Sequence, residues 1–387
     1  MYGLSDELAI LEKEHLKRTL KVTGVNQPVT TVNASPTLLF SSNNYLGLST
    51  DEKVKQAAVE MIEKFGTGAG GARLTTGNLE IHYQLEKEIA KWKKTDASLL
   101  FSSGYLANLG VLSGLIGKED IIFSDELNHA SIIDGCKLSR GKTVVYKHCS
   151  TKDLEEKLVT YGNYRRKLIV TDGVFSMDGN IAPLPEIVQL AEKYGAWVMV
   201  DDAHGSGVLG SSGAGVIELF NLQHKVQIQV GTLSKAFGSE GGFVAASNEV
   251  ISYLVNKARP FIFQTALSPP VVGASLQALE IIRTEPDRRK RLLQLSRMLR
   301  DGLKKTGFTI IDGETPIVAL LIGEPDLAVK FANELKNEGF FAPAIRPPTV
   351  PIGKSRIRFT VMATHTEKQI KLLIDTTERI GMDLGII

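Results

Sequence analysis

From Thr95 onward the chain alternates short apolar, β-rich runs with longer stretches of helical periodicity, and this rhythm constrains the fold more than any other feature. The runs fall at residues 97–101, 120–123, 143–146, 167–171, 196–200, 226–230 and 242–246. Continuous apolar strands separated by helical patterns predict an α/β fold, a mostly parallel seven-stranded sheet covered by helices on both faces. In such open sheets, ligands bind in the crevice at the carboxyl ends of the strands. Asp172, Asp201 and Gly231 each directly follow a run, or begin one residue after it.

Two segments at these strand ends carry the chemistry. Asp201-Asp-Ala-His204 closes one apolar run, and Gly231-Thr-Leu-Ser-Lys235 closes another. An aldehyde cofactor needs an amine to condense with, a carboxylate to keep its pyridine nitrogen protonated, and donors for its phosphate. Pyridoxal 5'-phosphate is the cofactor these residues imply. Lys235 is the candidate amine: Ala236-Phe-Gly238 after it and the Gly-rich Gly241-Gly242 beyond let a ring approach the backbone, and burial favours the neutral nucleophile. Asp201 is the candidate partner of the ring nitrogen, and His204 of the phenolic oxygen. Alone, an Asp at a strand end also serves as a turn cap; together with His204 and Lys235 it reads as a site.

Ser102-Ser-Gly-Tyr105 opens a helical pattern straight after a strand, which places backbone N–H groups where a phosphate can sit. Gly104 and Tyr105 are therefore candidate cofactor contacts, with Thr232 and Ser234 completing the phosphate shell. His129 is a candidate to stack on the ring face, and Ser176 to bind either the phenolic oxygen or a substrate carboxylate. Arg346, in Ala344-Ile-Arg-Pro-Pro-Thr-Val-Pro351, stands on a proline-stiffened loop that suits bidentate capture of an amino-acid carboxylate, and Thr349 is placed for the second substrate.

Composition narrows the partners. The 387 residues are 43% hydrophobic and 23% charged, enough for one large domain and a smaller one. The boundaries expected are an N-terminal helix and arm over 1–45, a large domain over 46–283 and a smaller α+β domain over 284–387, with strands at 317–322 and in the alternating Arg356-Ile-Arg-Phe-Thr360. A net charge of +2 gives no field that suggests nucleic acid or an anionic membrane. The first 20 residues mix charged and apolar positions at helical spacing, which predicts an amphipathic helix lying on the body rather than a signal peptide. No apolar run approaches the roughly 20 residues a membrane span requires. Cys136 and Cys149 form neither a CxxC pair nor a metal-ligand spacing, so no metal and no disulfide are expected, and the setting expected is reduced and cytoplasmic.

Assembled, these residues resemble the α-oxoamine synthases, a family of fold-type I pyridoxal phosphate enzymes. The likeness runs through Ser41-Ser-Asn-Asn-Tyr-Leu-Gly-Leu48, Gly66-Thr-Gly-Ala-Gly-Gly-Ala-Arg73, Leu127-Asn-His-Ala-Ser131, Thr171-Asp-Gly-Val-Phe-Ser-Met-Asp-Gly179, Asp201-Asp-Ala-His204, Lys235 and the Arg346 loop. The resemblance implies a catalytic group of Lys235, His129, Asp201 and His204, and a homodimer with the cofactor between subunits. It also implies substrate contacts from Asn43, His129, Arg346, Thr349 and an N-terminal Arg18, or Lys17 by a one-residue shift. Asp172 stands where the family often has Glu. The Arg346 loop looks most like members that condense L-alanine with a pimeloyl thioester, carried by coenzyme A or an acyl carrier protein; the nearest rival condenses glycine with acetyl-CoA. A catalytically silent cofactor-binding protein is the reading of another class, and the intact Lys235, Asp201, His204 and His129 argue against it.

Overall fold

The computed structural model describes residues 3–13 and 16–387. The N-terminal arm carries a hairpin, β1 (Val29–Val32) and β2 (Ser35–Leu39). Seven strands follow: β3 (Ala97–Phe101), β4 (Ile121–Asp125), β5 (Lys142–Tyr146), β6 (Lys167–Asp172), β7 (Trp197–Asp201), β8 (Ile228–Thr232) and β9 (Gly242–Ala246). They form one sheet in the order β3-β9-β8-β7-β6-β4-β5. The pairs from β8 through β5 are parallel, and β9 runs antiparallel to both of its neighbours, giving the mostly parallel sheet expected. β6, β7 and β8 run one or two residues beyond their expected ends, so Asp172 and Asp201 are the last residues of their strands.

Alternate residues of these strands enter two separate cores. Leu100, Ile121, Phe123, Ile169, Val198, Val200 and Phe243 pack into one, and Leu99, Phe101, Ile122, Leu168, Val170, Met199 and Val230 into the other. Side chains alternate across a strand, so the two cores lie on opposite faces of the sheet. Each fully buried large side chain contributes about 1.5–3 kcal/mol, which is why the strands read as continuous apolar runs rather than alternating ones.

The helical pattern expected over 271–305 is two helices, Pro269–Thr284 and Pro286–Lys305. Pro286 disfavours a helical conformation at Glu285, whose φ of −114° and ψ of 65° break the run. Beyond it, β10 (Ile317–Gly323), β11 (Phe340–Phe341), β12 (Ala344–Ile345) and β13 (Ser355–Thr360) complete the chain with the helices Pro325–Asn337 and Glu367–Asp383. β10, β13 and β12 form an antiparallel sheet, whereas β11 pairs parallel with β2 of the arm.

Two expectations need correction. The N-terminal helix, Leu4–Lys13, buries none of its residues, and Leu4, Leu8, Ile10 and Leu11 are exposed, so within one chain it does not seal an apolar face against the body. Strand β13 is not half-solvated: every residue from Ser355 to Thr360 is buried. Its arginines are covered because each finds oxygen partners in the segment after β6: Arg356 donates to Asp178, and Arg358 to the Ser176 carbonyl. Among the described residues no helix is long and apolar enough to cross a membrane.

Candidate active site

The carboxyl ends of β4, β6, β7 and β8 deliver most of the predicted residues to one crevice. Asp201, final in β7, is buried; its Oδ2 accepts from Asn108 Nδ2 at 2.6 Å and its Oδ1 from the Ala203 amide at 3.0 Å. Those two donors fix the carboxylate. His204 is buried three residues later, with Nδ1 2.6 Å from the Tyr45 hydroxyl and Nε2 2.8 Å from the Lys235 amine. Burial, then the positive charges of Lys235 and Arg358, hold His204 well below the usual imidazole range, so the ring is neutral. Lys235 is partly exposed in the loop after β8, and desolvation lowers its amine to about 8 against the pull of Asp201 and Asp172. An amine so tuned keeps about a tenth of its population neutral at pH 7, some hundreds of times more than an ordinary lysine, as nucleophile and base chemistry requires.

His129 is the N-cap of the helix Ala130–Leu138 and exposes its ring to the crevice. Its backbone amide donates to Asp172 Oδ2 at 2.7 Å, its Nδ1 lies 2.7 Å from Ser131 Oγ, and Tyr105 stands edge-on to it with ring centroids 6.3 Å apart. Asp172 is held in turn by its own amide, which donates to Asn128 Oδ1 at 2.8 Å. Burial first, and then the Asp201 charge, push the Asp172 carboxyl well above the usual range. The amide bond to Asp172 fixes the His129 backbone, and Ser131 holds its ring through Nδ1.

At the other end of the crevice the helix Gly104–Leu115 begins. Ser103 caps it, accepting from the Leu106 amide at 3.1 Å, and the amides of Gly104 and Tyr105 have no protein acceptor among the described residues. Thr232 stands beside Gly104: a Cβ built on that glycine would lie 3.3 Å from Thr232 Cβ. Gly242 lets the helix start lie against β9, since a Cβ there would meet the Gly104 nitrogen at 2.4 Å. Ser234 is exposed, and its amide donates to Thr232 Oγ1 at 3.2 Å. Unpaired amides at a helix start form an anion cradle, and the Thr232 and Ser234 hydroxyls, which here donate to the Gly241 carbonyl, would turn to an anion bound there.

The residues fit pyridoxal phosphate. Asn108 Oδ1 and Nδ2 are buried against Asp201, with Oδ1 lacking any partner, so the carboxylate lies in a polar pocket that the protein alone does not saturate. Lys235 would hold the aldehyde carbon, Asp201 the ring nitrogen, and Gly104, Tyr105, Thr232 and Ser234 the phosphate.

Not every expected residue joins this group. Arg346 and Thr349 line a cavity of about 790 Å³ with Leu8, Leu16, Lys17 and Arg18 of the arm. Lys17 is paired there with Glu12 at 2.9 Å. No hydrogen bond among the described residues ties that cavity to Lys235 or His204. The guanidinium whose charge acts on Lys235 and His204 is Arg358, which sequence patterning treated as one position in an alternating strand. Arg358 Nη2 donates to Asn43 Oδ1 at 3.3 Å, and the Tyr45 hydroxyl also reaches Asn43 Oδ1, at 3.3 Å. Ser176 enters through its carbonyl, which accepts from Arg358. Asn108 and Tyr45 were missed as well. The one signal for Arg358 was a pair of arginines in an apolar strand without acidic neighbours.

Comparison with known proteins places this geometry. Residues 35–376 match the family model "Aminotransferase class I and II". An 8-amino-7-oxononanoate synthase of Lysinibacillus sphaericus is 54% identical over 98% of both chains, and 8-amino-7-oxononanoate synthase 2 of Bacillus subtilis is 49% identical over 99% of this chain and 98% of its own. A serine palmitoyltransferase from S. paucimobilis, solved with PLP and myriocin bound, superposes with a TM-score of 0.94 at 34% identity, covering 100% of this chain and 98% of that one. With a fold-type I architecture, a lysine facing a buried aspartate and histidine, and relatives that match it end to end, the chain belongs to the class I and II aminotransferase family of pyridoxal phosphate enzymes, within its 8-amino-7-oxononanoate synthases.

Proposed function

We propose that the chain condenses L-alanine with a pimeloyl thioester, releasing CO2 and the thiol carrier and giving 8-amino-7-oxononanoate, a step of biotin biosynthesis. One observation supports the amino-acid chemistry beyond the likeness of relatives: the Lys235 amine, lowered to about 8, lies 2.8 Å from a neutral His204 in a crevice that also holds the Arg358 charge. Pyridoxal phosphate, when bound, supplies a protonated ring that accepts the electrons left at the amino-acid α-carbon. Asp201 keeps that ring nitrogen protonated, because a buried carboxylate favours the charged form of its partner. As a neutral amine, Lys235 is the group that would take the α-proton of the bound amino acid. Arg358 receives the amino-acid carboxylate, with Asn43 holding its guanidinium. With the cofactor bound, His129 would cover its ring face, and His204 and Ser176 would border its phenolic oxygen. Arg346, expected at the amino-acid carboxylate, lines the arm cavity with Thr349 and Arg18, and there these residues would take the thioester end.

The same residues serve a glycine and acetyl-CoA condensation, and the acyl pocket decides between the two. A homodimer completes the reading; what supports it is the exposure of Leu4, Leu8, Ile10 and Leu11 on a helix that buries nothing in its own chain. Mass spectrometry of the products from cofactor-loaded protein tests the proposal. L-alanine and glycine are each offered with pimeloyl-CoA, pimeloyl-acyl carrier protein and acetyl-CoA. Formation of 8-amino-7-oxononanoate from alanine and a pimeloyl donor is expected. Product from glycine with acetyl-CoA alone overturns the substrate assignment and leaves the cofactor site standing.

A further inference from the structure

Two wholly buried side chains outside the catalytic group, Asn108 and Ser131, join Asp201 to His129. Asn108 lies on the helix Gly104–Leu115, and Ser131 is the second residue of the helix Ala130–Leu138. Asn108 Nδ2 donates to Asp201 Oδ2 at 2.6 Å and to Ser131 Oγ at 2.8 Å. Ser131 Oγ lies 2.7 Å from His129 Nδ1, and the Ser131 amide nitrogen lies 3.3 Å from that same ring nitrogen.

Each proton in this chain of contacts has one place. A carboxylate only accepts, so Asp201 faces the amide nitrogen of Asn108 and not its oxygen. The second hydrogen of that nitrogen enters a lone pair of Ser131 Oγ, and the hydroxyl proton is left to point at His129 Nδ1. The Ser131 amide, an orphan donor in the first turn of its helix, points there too. In the reversed arrangement an Nδ1–H would face an amide N–H, and the Ser131 hydroxyl would have no acceptor among the described residues. Nδ1 is therefore the bare nitrogen. Nε2, which has no protein partner among the described residues, carries the proton of the ring.

We propose that Ser131, held by Asn108, is a positioning residue that locks His129 in the Nε2–H tautomer and keeps its ring uncharged. A second proton on the ring has to enter at Nδ1, where two donors already point, so Ser131 opposes it. Burial holds His129 below the usual imidazole range as well, with Asp201 pulling it up and Lys235 pushing it down. His204, Asp172 and Tyr105 also stand near it, and Tyr105 donates to Asp134 of the helix that His129 caps. The lock serves the pyridoxal phosphate chemistry proposed above and is independent of which amino acid and acyl donor react. A cofactor ring protonated opposite Asp201 is positive, and an imidazolium lying against it in a closed site would repel it. A neutral His129 can cover that face.

Ring-labelled histidine in the cofactor-loaded full chain, observed by nitrogen and carbon NMR, reads the tautomer directly, with His129 assigned among the seven histidines by its loss in His129→Asn. The Nε2–H signature is expected in the parent. Ser131→Ala, which removes one of the two donors, should bind the second proton of the ring roughly threefold to tenfold more tightly, the worth of one neutral hydrogen bond. Cofactor affinity is the second readout: the ratio of parent to Ser131→Ala should grow by the same factor as the pH falls from about 8 to about 5.5. A merely structural loss would weaken affinity equally at every pH. An Nδ1–H signature in the parent, or an unchanged proton affinity in Ser131→Ala, overturns the lock, and a ratio that does not move with pH overturns its role toward the cofactor. Failure of alanine and glycine alike to give product would sink the proposed condensation without touching either readout.

Discussion

Two lysines of this chain are buried or nearly so, each is close to an aspartate of the same Asp201-Asp202 pair, and they do opposite things. Lys93, the last residue of the helix Glu80–Lys93, is fully enclosed. Its amine donates to Asp202 Oδ2 at 3.2 Å, Ser206 Oγ at 2.7 Å and the Ala214 carbonyl at 2.7 Å, and it sits over the Trp92 ring at 4.7 Å. All three of its protons have acceptors. Burial pulls the Lys93 amine down and the Asp202 carboxyl up, and their mutual attraction offsets both. Lys235 has a single close partner, His204, and opens on a crevice. A buried cation with every donor satisfied is a structural bolt; one left with unspent hydrogen-bonding capacity and a lowered proton affinity is a reagent.

Substitution at the two lysines separates the roles most sharply. Lys235→Ala is expected to lose turnover by about 10⁴-fold or more, because base and covalent functions go together, while the urea midpoint of its apoprotein does not fall below the parent's, since the burden of a desolvated amine goes with it. Steady-state product assays and unfolding curves on the same sample check both halves. Lys93→Met should do the reverse: stranding Asp202 in the core costs about 3–5 kcal/mol, seen as a lower urea midpoint, with activity per folded molecule preserved. The double variant Lys93→Met/Asp202→Asn should recover part of that loss; no recovery would mean that Ser206 and Ala214 dominate the site.

The two aspartates give a finer contrast. Asp201→Asn is expected to reduce turnover by about 10²-fold, the scale of one lost electrostatic partner in a closed site, with the cofactor still covalently attached to Lys235. A visible absorption spectrum beside the rate tells these apart. The smallest effect is in pH. Capture of cofactor by the apoprotein needs the neutral amine, so its rate should rise about tenfold per pH unit up to about 8 and level above it. The sign for stability is the same: the unfolded lysine keeps its proton up to its ordinary 10.5, so between about 8 and 10.5 the folded chain binds fewer protons and apoprotein stability rises with pH. The burden of the lowered amine is fully present below about 8. A capture profile that rises instead through 10.5 would show that Lys235 is not desolvated.

Much of this was legible along the chain, because strand ends in a parallel sheet are local events. Apolar runs located β3 through β9, and the residues that terminate them, Asp172, Asp201 and the Gly231–Lys235 segment, came out beside one another. The glycines and serines around Gly104 and Lys235 announced loops built for a ligand. Arg358 was not legible, since Arg-Ile-Arg in a strand has the period of a half-solvated face; only the docking of β13 against the segment 176–178 buries those arginines and supplies their acceptors. Asn108 and Tyr45 share that fate, one on a helix and one in the arm, both meaningful only through a partner distant in sequence.

Lys93 makes the same point from the other side. In Trp92-Lys93-Lys94 it reads as a surface lysine. What the sequence by itself determined was the order of strands and helices, the loops at the carboxyl edge and the place of Lys235 in one of them, all properties of contiguous residues whose periodicity and side-chain size act locally. What only the tertiary structure decided was which charges are buried and with whom. A proton affinity depends on desolvation and on neighbours brought together across the fold, and no single stretch of chain contains either.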